Sequence, residues 1–393
     1  AGDPPGIVEV LDLVADFDHV LREGFARLNE PQRAALTALS GVLAPTPLGP
    51  TVAEAVEKIT AGSVTAERLT VLAGARAALL GAAHDALLGA ADTALGRTRA
   101  SWQETPPAPA PVAHSLAGCR SWLTELALTG WRGLDHDVVA AIDQPLRALL
   151  TDPALRRTAV LLDGFAAELR ASCPGATMER VPVRRWADLW ARALLLTQAG
   201  PVECTAGTTV SGRLLILGVE VHEHSTAVQV QAHGVLEPVD GATPRLVRTS
   251  ISAAKVDTIG GPALWQLLQG YPVLLGALAR RHSLDVDDLV LLDSGDLVWA
   301  EDRARPGEPV DPFAVARVQL GNALAPAVPP LDRHPVRIAE PVLMEGYAVA
   351  AEPTPAFEID GHRIPVATDR LPTCGPIRPE LVAASSACIG LLR

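Results

Sequence analysis

The sequence predicts a multidomain α+β protein: an all-α helical N-terminal half, then a mixed, antiparallel β-rich C-terminal half with a helical insert. Three observations predict it. Before about residue 200, apolar residues recur at steps of three and four in long Ala/Leu-rich runs. After it, they alternate or cluster in short runs broken by Gly and Pro. Third, 393 residues exceed what one ordinary core organises. The expected divisions are a helical subdomain over 1–104, a Pro-rich linker over 105–114, a second helical subdomain over 115–200 and a β-rich mixed domain over 201–393.

In the first region, Ile7, Val10, Leu11, Val14, Phe17, Leu21, Phe25 and Leu28 mark one or two amphipathic helices within 6–40. Pro45, Pro47, Gly49 and Pro50 interrupt the chain. A long helix is expected from Thr65 to Ser101, where LLGAA occurs at 79–83 and again at 87–91. Its apolar run includes Arg76, His84, Asp85 and Asp92, which argues for tight packing against other helices and against a membrane span. The PPAPAP run at 106–111 reads as an extended spacer. Beyond it, Asp152–Pro153 suits a helix start, with an apolar-striped helix over 153–172. RRWADLWARALLLTQ at 184–198 forms another helix, in which Trp186 and Trp190 share a face.

The clearest strand pair lies at 213–236. With Ser225–Thr226 as the turn, Val219 and Val221 face the same side as Val228, Val230 and Ala232. The other side collects Glu220, His222, His224, Gln229, Gln231 and His233, as a half-solvated antiparallel sheet requires. A strand is expected over Leu246–Ile251, and helix over 262–281 with a break near Gly270–Tyr271–Pro272. Ser283 is expected to cap a short helix whose acidic first turn holds Asp285, Asp287 and Asp288. Leu297–Trp299 returns to extended structure. Asp360–Gly361 between two apolar runs signals a type I′ hairpin, and Pro379–Leu392 reads as a closing helix.

Composition narrows the function. Net charge is −12, with 18 basic and 22 acidic residues in 1–200 and 15 and 23 in 201–393. Neither half offers the positive field that attracts nucleic-acid backbones or anionic membranes. The five cysteines are scattered and form no CxxC pair, so they read as reduced thiols. The first residues carry no secretory signal. A cytoplasmic location is the expectation.

Candidate chemistry is sparse. His222-x-His224 beside Glu220 has the residue types of a zinc or iron site, but it misses the cupin spacing, and His233 falls roughly 13 Å along the strand from His222 at ~3.4 Å per residue. A solvated sheet face is the plainer reading. Cys374 with His362 and Asp360 has the types of a thiol nucleophile and base, without spacing that brings them together. The three aspartates lack the glycine an EF-hand needs. No P-loop, GxGxxG, HExxH or GxSxG run is present. No cofactor is therefore expected. Trp186 and Trp190 flanked by Arg184, Arg185 and Arg192 have the composition of an interface anchor.

RRWADLWARALLL at 184–196, HPVRIAEPVLMEGY at 334–347 and PELVAASSACIGLLR at 379–393 resemble an uncharacterised actinobacterial family. Its members are encoded beside MoxR-type AAA+ ATPases, von Willebrand A-domain proteins and SWIM zinc-finger proteins. The resemblance implies a subunit or adaptor of an ATPase assembly and carries no catalytic residues. The expected function is accordingly a non-enzymatic protein-interaction subunit, binding protein partners through the Trp/Arg helix. Two alternatives remain: an enzyme with a metal-assisted site near 213–236, and an OB-like single-strand nucleic-acid binder.

Overall fold

The computed structural model describes residues 4–99, 116–152, 155–199, 207–223, 227–256, 258–324, 339–351 and 355–392. The predicted hairpin turn, His224, the Pro-rich linker, Pro153 and Cys204 lie outside them.

Nine helices build the described part of the N-terminal half: α1 Ile7–Glu23, α2 Glu30–Leu43, α3 Gly49–Thr60, α4 Ala66–Ala94, α5 Ala117–Thr129, α6 His136–Ala140, α7 Asp143–Leu150, α8 Arg156–Ser172 and α9 Val183–Ala199. Helix α1 buries Val14, Phe17 and Leu21, the stripe its spacing dictates. Helix α2 starts at a reciprocal cap: Asn29 Oδ1 accepts from the Gln32 amide at 2.9 Å, and Gln32 Oε1 from the Asn29 amide at 2.8 Å. Among the described residues α4 alone is long and apolar enough to cross a membrane, and it is a core helix here, burying Leu69, Leu72, Leu79 and Leu80.

The sequence leaves open whether the helices on either side of the Pro-rich segment pack together. They share one apolar cluster that runs from Val14 on α1 to Leu194 on α9. Two glycines permit the closest approach. Gly24 ends α1 at φ 90°, and a Cβ there would sit 2.5 Å from the Leu128 carbonyl. Gly130 ends α5 at φ 72°, and its Cβ would sit 2.5 Å from the Gly24 nitrogen. The backbones can therefore bond directly, with the Phe25 amide donating to the Ala127 carbonyl at 2.9 Å.

In the C-terminal half, strands β1 Thr208–Glu223, β2 Ala227–Pro238 and β3 Arg245–Ala254 form a meander. Helices α10 Leu264–Leu267 and α11 Pro272–Arg280 follow, broken where the sequence predicts. Then come β4 His282–Leu291, β5 Asp296–Val298, β6 Ala304–Pro309 and α12 Pro312–Gln319. The strands close a ring in the order β1-β2-β3-β5-β4-β1, with β6 extending along β4. Only β3–β5 is parallel. Long β1 serves both ends of the ring, pairing with β4 from Thr208 to Leu214 and with β2 from Gly212 to Glu223. Irregularities between Ile216 and Gly218 and between Val210 and Gly212 supply the bend this needs. A five-stranded ring with its helix between the third and fourth strands has the connectivity of an OB-type barrel.

The barrel interior holds Leu214, Ile216, Val228, Val230, Val247, Ile251, Leu284 and Leu297, plugged by Leu264, Leu268 and Leu274 of the helical insert. The predicted register is the observed one: Gly218 opposes His233 and His222 opposes Gln229. On the outer face, Leu215, Leu217, Val235 and Leu246 pack under Ala316 and Leu320. The rest of the chain supplies β7 Glu340–Glu345, β8 Ala348–Ala350, β9 Ala356–Ile359, β10 His362–Pro365, α13 Pro379–Ala383 and β11 Ala387–Leu392. Strands β7 and β11 make a two-stranded ribbon whose Leu343 and Ile389 lie on the same outer patch. Asp360 and Gly361 both take positive φ, 49° and 76°, as the predicted type I′ turn demands.

Three expectations need correction. The helix expected from Thr65 to Ser101 ends at Ala94, where the Arg97 amide turns back to the Asp92 carbonyl. Ser283 and the three aspartates lie on β4, not at a helix start. Leu284 and Val286 alternate inward with Asp285 between them, and Asp288 takes a positive φ of 49° where β4 shifts register against β1. The closing helix is only five residues long, and ACIGLL pairs as β11 with β7. Pairing with the edge of β7 decides its state over the apolar run.

Candidate functional site

Helix α9 comes first because the sequence singles it out. Trp186 and Trp190 are 1 % and 0 % exposed, so neither offers surface to a partner. Trp186 meets Trp131 edge to face at 5.8 Å, and Trp190 Nε1 donates to the Leu123 carbonyl at 2.9 Å. The apolar stripe that places both tryptophans on one face turns that face inward. The flanking arginines divide. Arg185 is exposed and pairs with Glu168 of α8. Arg192 is half-buried. Arg184 lies 3.7 Å from Asp18 and 3.8 Å from Asp188.

Those two carboxylates belong to a buried network. Arg76 of α4 holds Asp18 of α1 through two bonds, 2.5 and 2.9 Å, and reaches Asp188 of α9 at 2.6 Å. Burial works against the charged Arg76 guanidinium, but Asp18 and Asp188 more than offset it and raise its pKa. The network ties three helices together and has no orphaned group facing a cavity, so its chemistry is structural.

The barrel presents a different arrangement. The outer face of β1–β3 is apolar where α12 and the β7–β11 ribbon cover it and polar beyond. The polar part carries Glu220 and His222 on β1, Gln229, Gln231 and His233 on β2, and Arg248, Ser250 and Ser252 on β3. His222 Nε2 lies 3.5 Å from Glu220 Oε2, and His233 Nε2 lies 4.0 Å from the same oxygen. The long Glu220 side chain thus reaches both imidazoles, although the strand positions of the two histidines are far apart. Gln231 donates to Ser250 Oγ at 3.3 Å. Arg248 is held by Asp296 of β5 at 3.0 Å and by the Ser294 carbonyl at 3.3 Å.

His233 sits at the boundary between the covered and polar parts. Its side chain is 5 % exposed, and neither ring nitrogen has a hydrogen-bond partner. Burial first, then Arg248 and His222, push its pKa down to about 4, with Asp296 opposing. It is therefore neutral near pH 7, with one ring nitrogen able to accept and the other to donate. An orphaned buried polar side chain costs roughly 1–3 kcal/mol. Arg248, Ser250 and Asp296 were not candidates from the sequence. The alternation Arg248-x-Ser250-x-Ser252 is the only local trace of them.

No group of three His, Cys, Asp or Glu side chains among the described residues is arranged to hold a metal. The described thiols are poor nucleophiles. Burial raises the Cys119 pKa to about 11 and shifts Cys173, Cys374 and Cys388 upward as well. The Cys374 carbonyl accepts from Trp265 Nε1 at 2.9 Å, which places this cysteine at the insert's packing against the barrel. Comparison with protein families, curated proteins and solved structures finds no match in any of the three.

Proposed function

We propose that the chain is a non-enzymatic protein-interaction subunit whose contact face is the polar outer surface of β1–β3. One observation carries this reading: among the described residues the face of amides, hydroxyls, imidazole and carboxylate on β1–β3 is left uncovered, with Gln229 and Ser252 exposed on it and His233 buried and unbonded at its boundary. The raised pKa values of the four described thiols, two buried and two half-buried, support binding over thiol nucleophilic chemistry at them. Membership in an AAA+ ATPase-linked cytoplasmic assembly is the context suggested by the sequence resemblance, and Trp186 and Trp190 serve it only by holding the helical half together.

The test is quantitative co-purification from the native host. Gln229→Arg with Ser252→Arg, both at exposed positions, should remove a stoichiometric partner that Arg185→Ala retains. A partner retained by the double variant would sink the assignment of the face. The barrel connectivity favours a second reading, a single-strand nucleic-acid binder. It ranks lower because the face holds no aromatic side chain and its arginine is already paired with Asp296. Salt-dependent binding of a labelled oligonucleotide, lost in Gln229→Glu with Ser252→Glu, would reverse the ranking.

A further inference from the structure

We propose that the β7–β11 ribbon is a strap that fixes the helical half against the barrel through an ion latch at Arg97, Arg99, Asp92 and Glu340. The argument begins with what does not join the halves. No apolar cluster among the described residues spans them: one ends at Leu194, and the other two begin at Leu214 and Leu215. Polar contacts do span them, and they gather just past the end of α4.

There the Arg97 amide donates to the Asp92 carbonyl at 2.8 Å and turns the chain. Asp92 then grips Arg99 through two bonds, 2.9 and 3.0 Å. Arg97 Nη2 donates to the Pro341 carbonyl at 3.1 Å. Glu340 Oε2 lies 3.4 Å from Arg99 and 3.8 Å from Arg97. All four side chains are between 4 and 13 % exposed, so water screens them far less than a surface pair.

Glu340 and Pro341 open β7. At its other end Glu345 pairs with Arg317 of α12 at 2.6 Å. Between them Leu343 packs on the outer apolar patch with Leu215 and Val235. Gln319 of α12 bonds Glu237 of β2 at 2.9 Å. The ribbon is therefore held at one end by the helical half and at the other by α12, and its middle rests on the barrel's outer apolar patch. Among the described residues, moving the halves apart breaks this charged end of the ribbon.

The test uses the full chain and two variants, Glu340→Gln and the double variant Arg97→Ala/Arg99→Ala. Hydrogen exchange is read at 92–99 and 340–342, together with the radius of gyration from small-angle scattering. At low salt both variants should exchange roughly tenfold faster at these two segments and expand, while α8 and β2 keep wild-type protection. Raising salt should move the wild type only slightly toward the variants, because nearly buried pairs are weakly screened. Unchanged exchange and radius would overturn the latch, and so would faster exchange throughout α8 and β2, which would mark these charges as part of the core. Neither readout depends on a partner, so failure here is separate from failure of the contact face.

Discussion

Two buried polar sites, one in each half, are handled in opposite ways. In the helical half, Arg76, Asp18 and Asp188 are buried together and satisfy one another. In the barrel, His233 is buried with neither nitrogen bonded. A satisfied network holds helices in register and leaves nothing to bind. An unsatisfied one costs stability that a ligand or partner can return. The difference gives the first a structural role and makes the second the site on which the proposed contact face rests, although the sequence points to the tryptophan helix in the first.

The strongest challenge to this comparison is to break the satisfied network. Asp18→Ala leaves Arg76 with one carboxylate in a dry core and should cost the helical half about 3–5 kcal/mol in chemical denaturation. A loss below ~1 kcal/mol would show that the network is solvated. Trp190→Ala should cost a similar 3–5 kcal/mol by opening a cavity and removing the bond to the Leu123 carbonyl. A folded, equally stable variant that loses a partner would restore the interface reading.

The next effect belongs to the barrel. His233 titrates near 6.5 when unfolded and about 4 when folded, so the unfolded chain takes up the proton first as pH falls. Stability is full above pH 6.5, is lost between 6.5 and 4, and the loss is complete below 4. The upper bound is about 3 kcal/mol. The groups facing His233 are Glu220 and His222 from β1, Arg248 from β3 and Asp296 from β5. His233→Gln should flatten this window, and equal pH slopes in variant and wild type would remove His233 as the cause.

Smaller effects sharpen the contrast locally. Gly361→Ala, at φ 76°, should loosen the β9–β10 hairpin by about 1 kcal/mol. Arg185→Ala should cost less than about 1 kcal/mol, because its pair with Glu168 is more than half open to water on the arginine side. A larger loss, measured by thermal melting, would mean that this exposed arginine contributes more than an ordinary surface pair.

Much of the fold was legible. Period-3.6 stripes located α1, α4, α8 and α9, and alternation located β1 and β2 with the correct register. The type I′ turn was legible because only two consecutive positive φ values close that hairpin, and Asp-Gly allows both. The run ACIGLL was misread because a short apolar run has no period, and its strand state depends on β7, some forty residues earlier. The site was only half legible. Alternation put Glu220, His222 and His233 on one face, but the ring that brings Arg248 and Asp296 beside them joins β3 to β5 in a parallel pair no local pattern announces.

What the sequence by itself determined is therefore local and periodic: which segments are helices, which alternate, and where glycine must turn the chain. Periodicity states which residues share a face, because helix and strand geometry set it within a few residues. It does not state which way that face points. Tertiary structure turned the tryptophans inward and closed the ring. It also left His233 unpartnered beside Glu220, because burial and pairing depend on elements that meet only once the chain has folded.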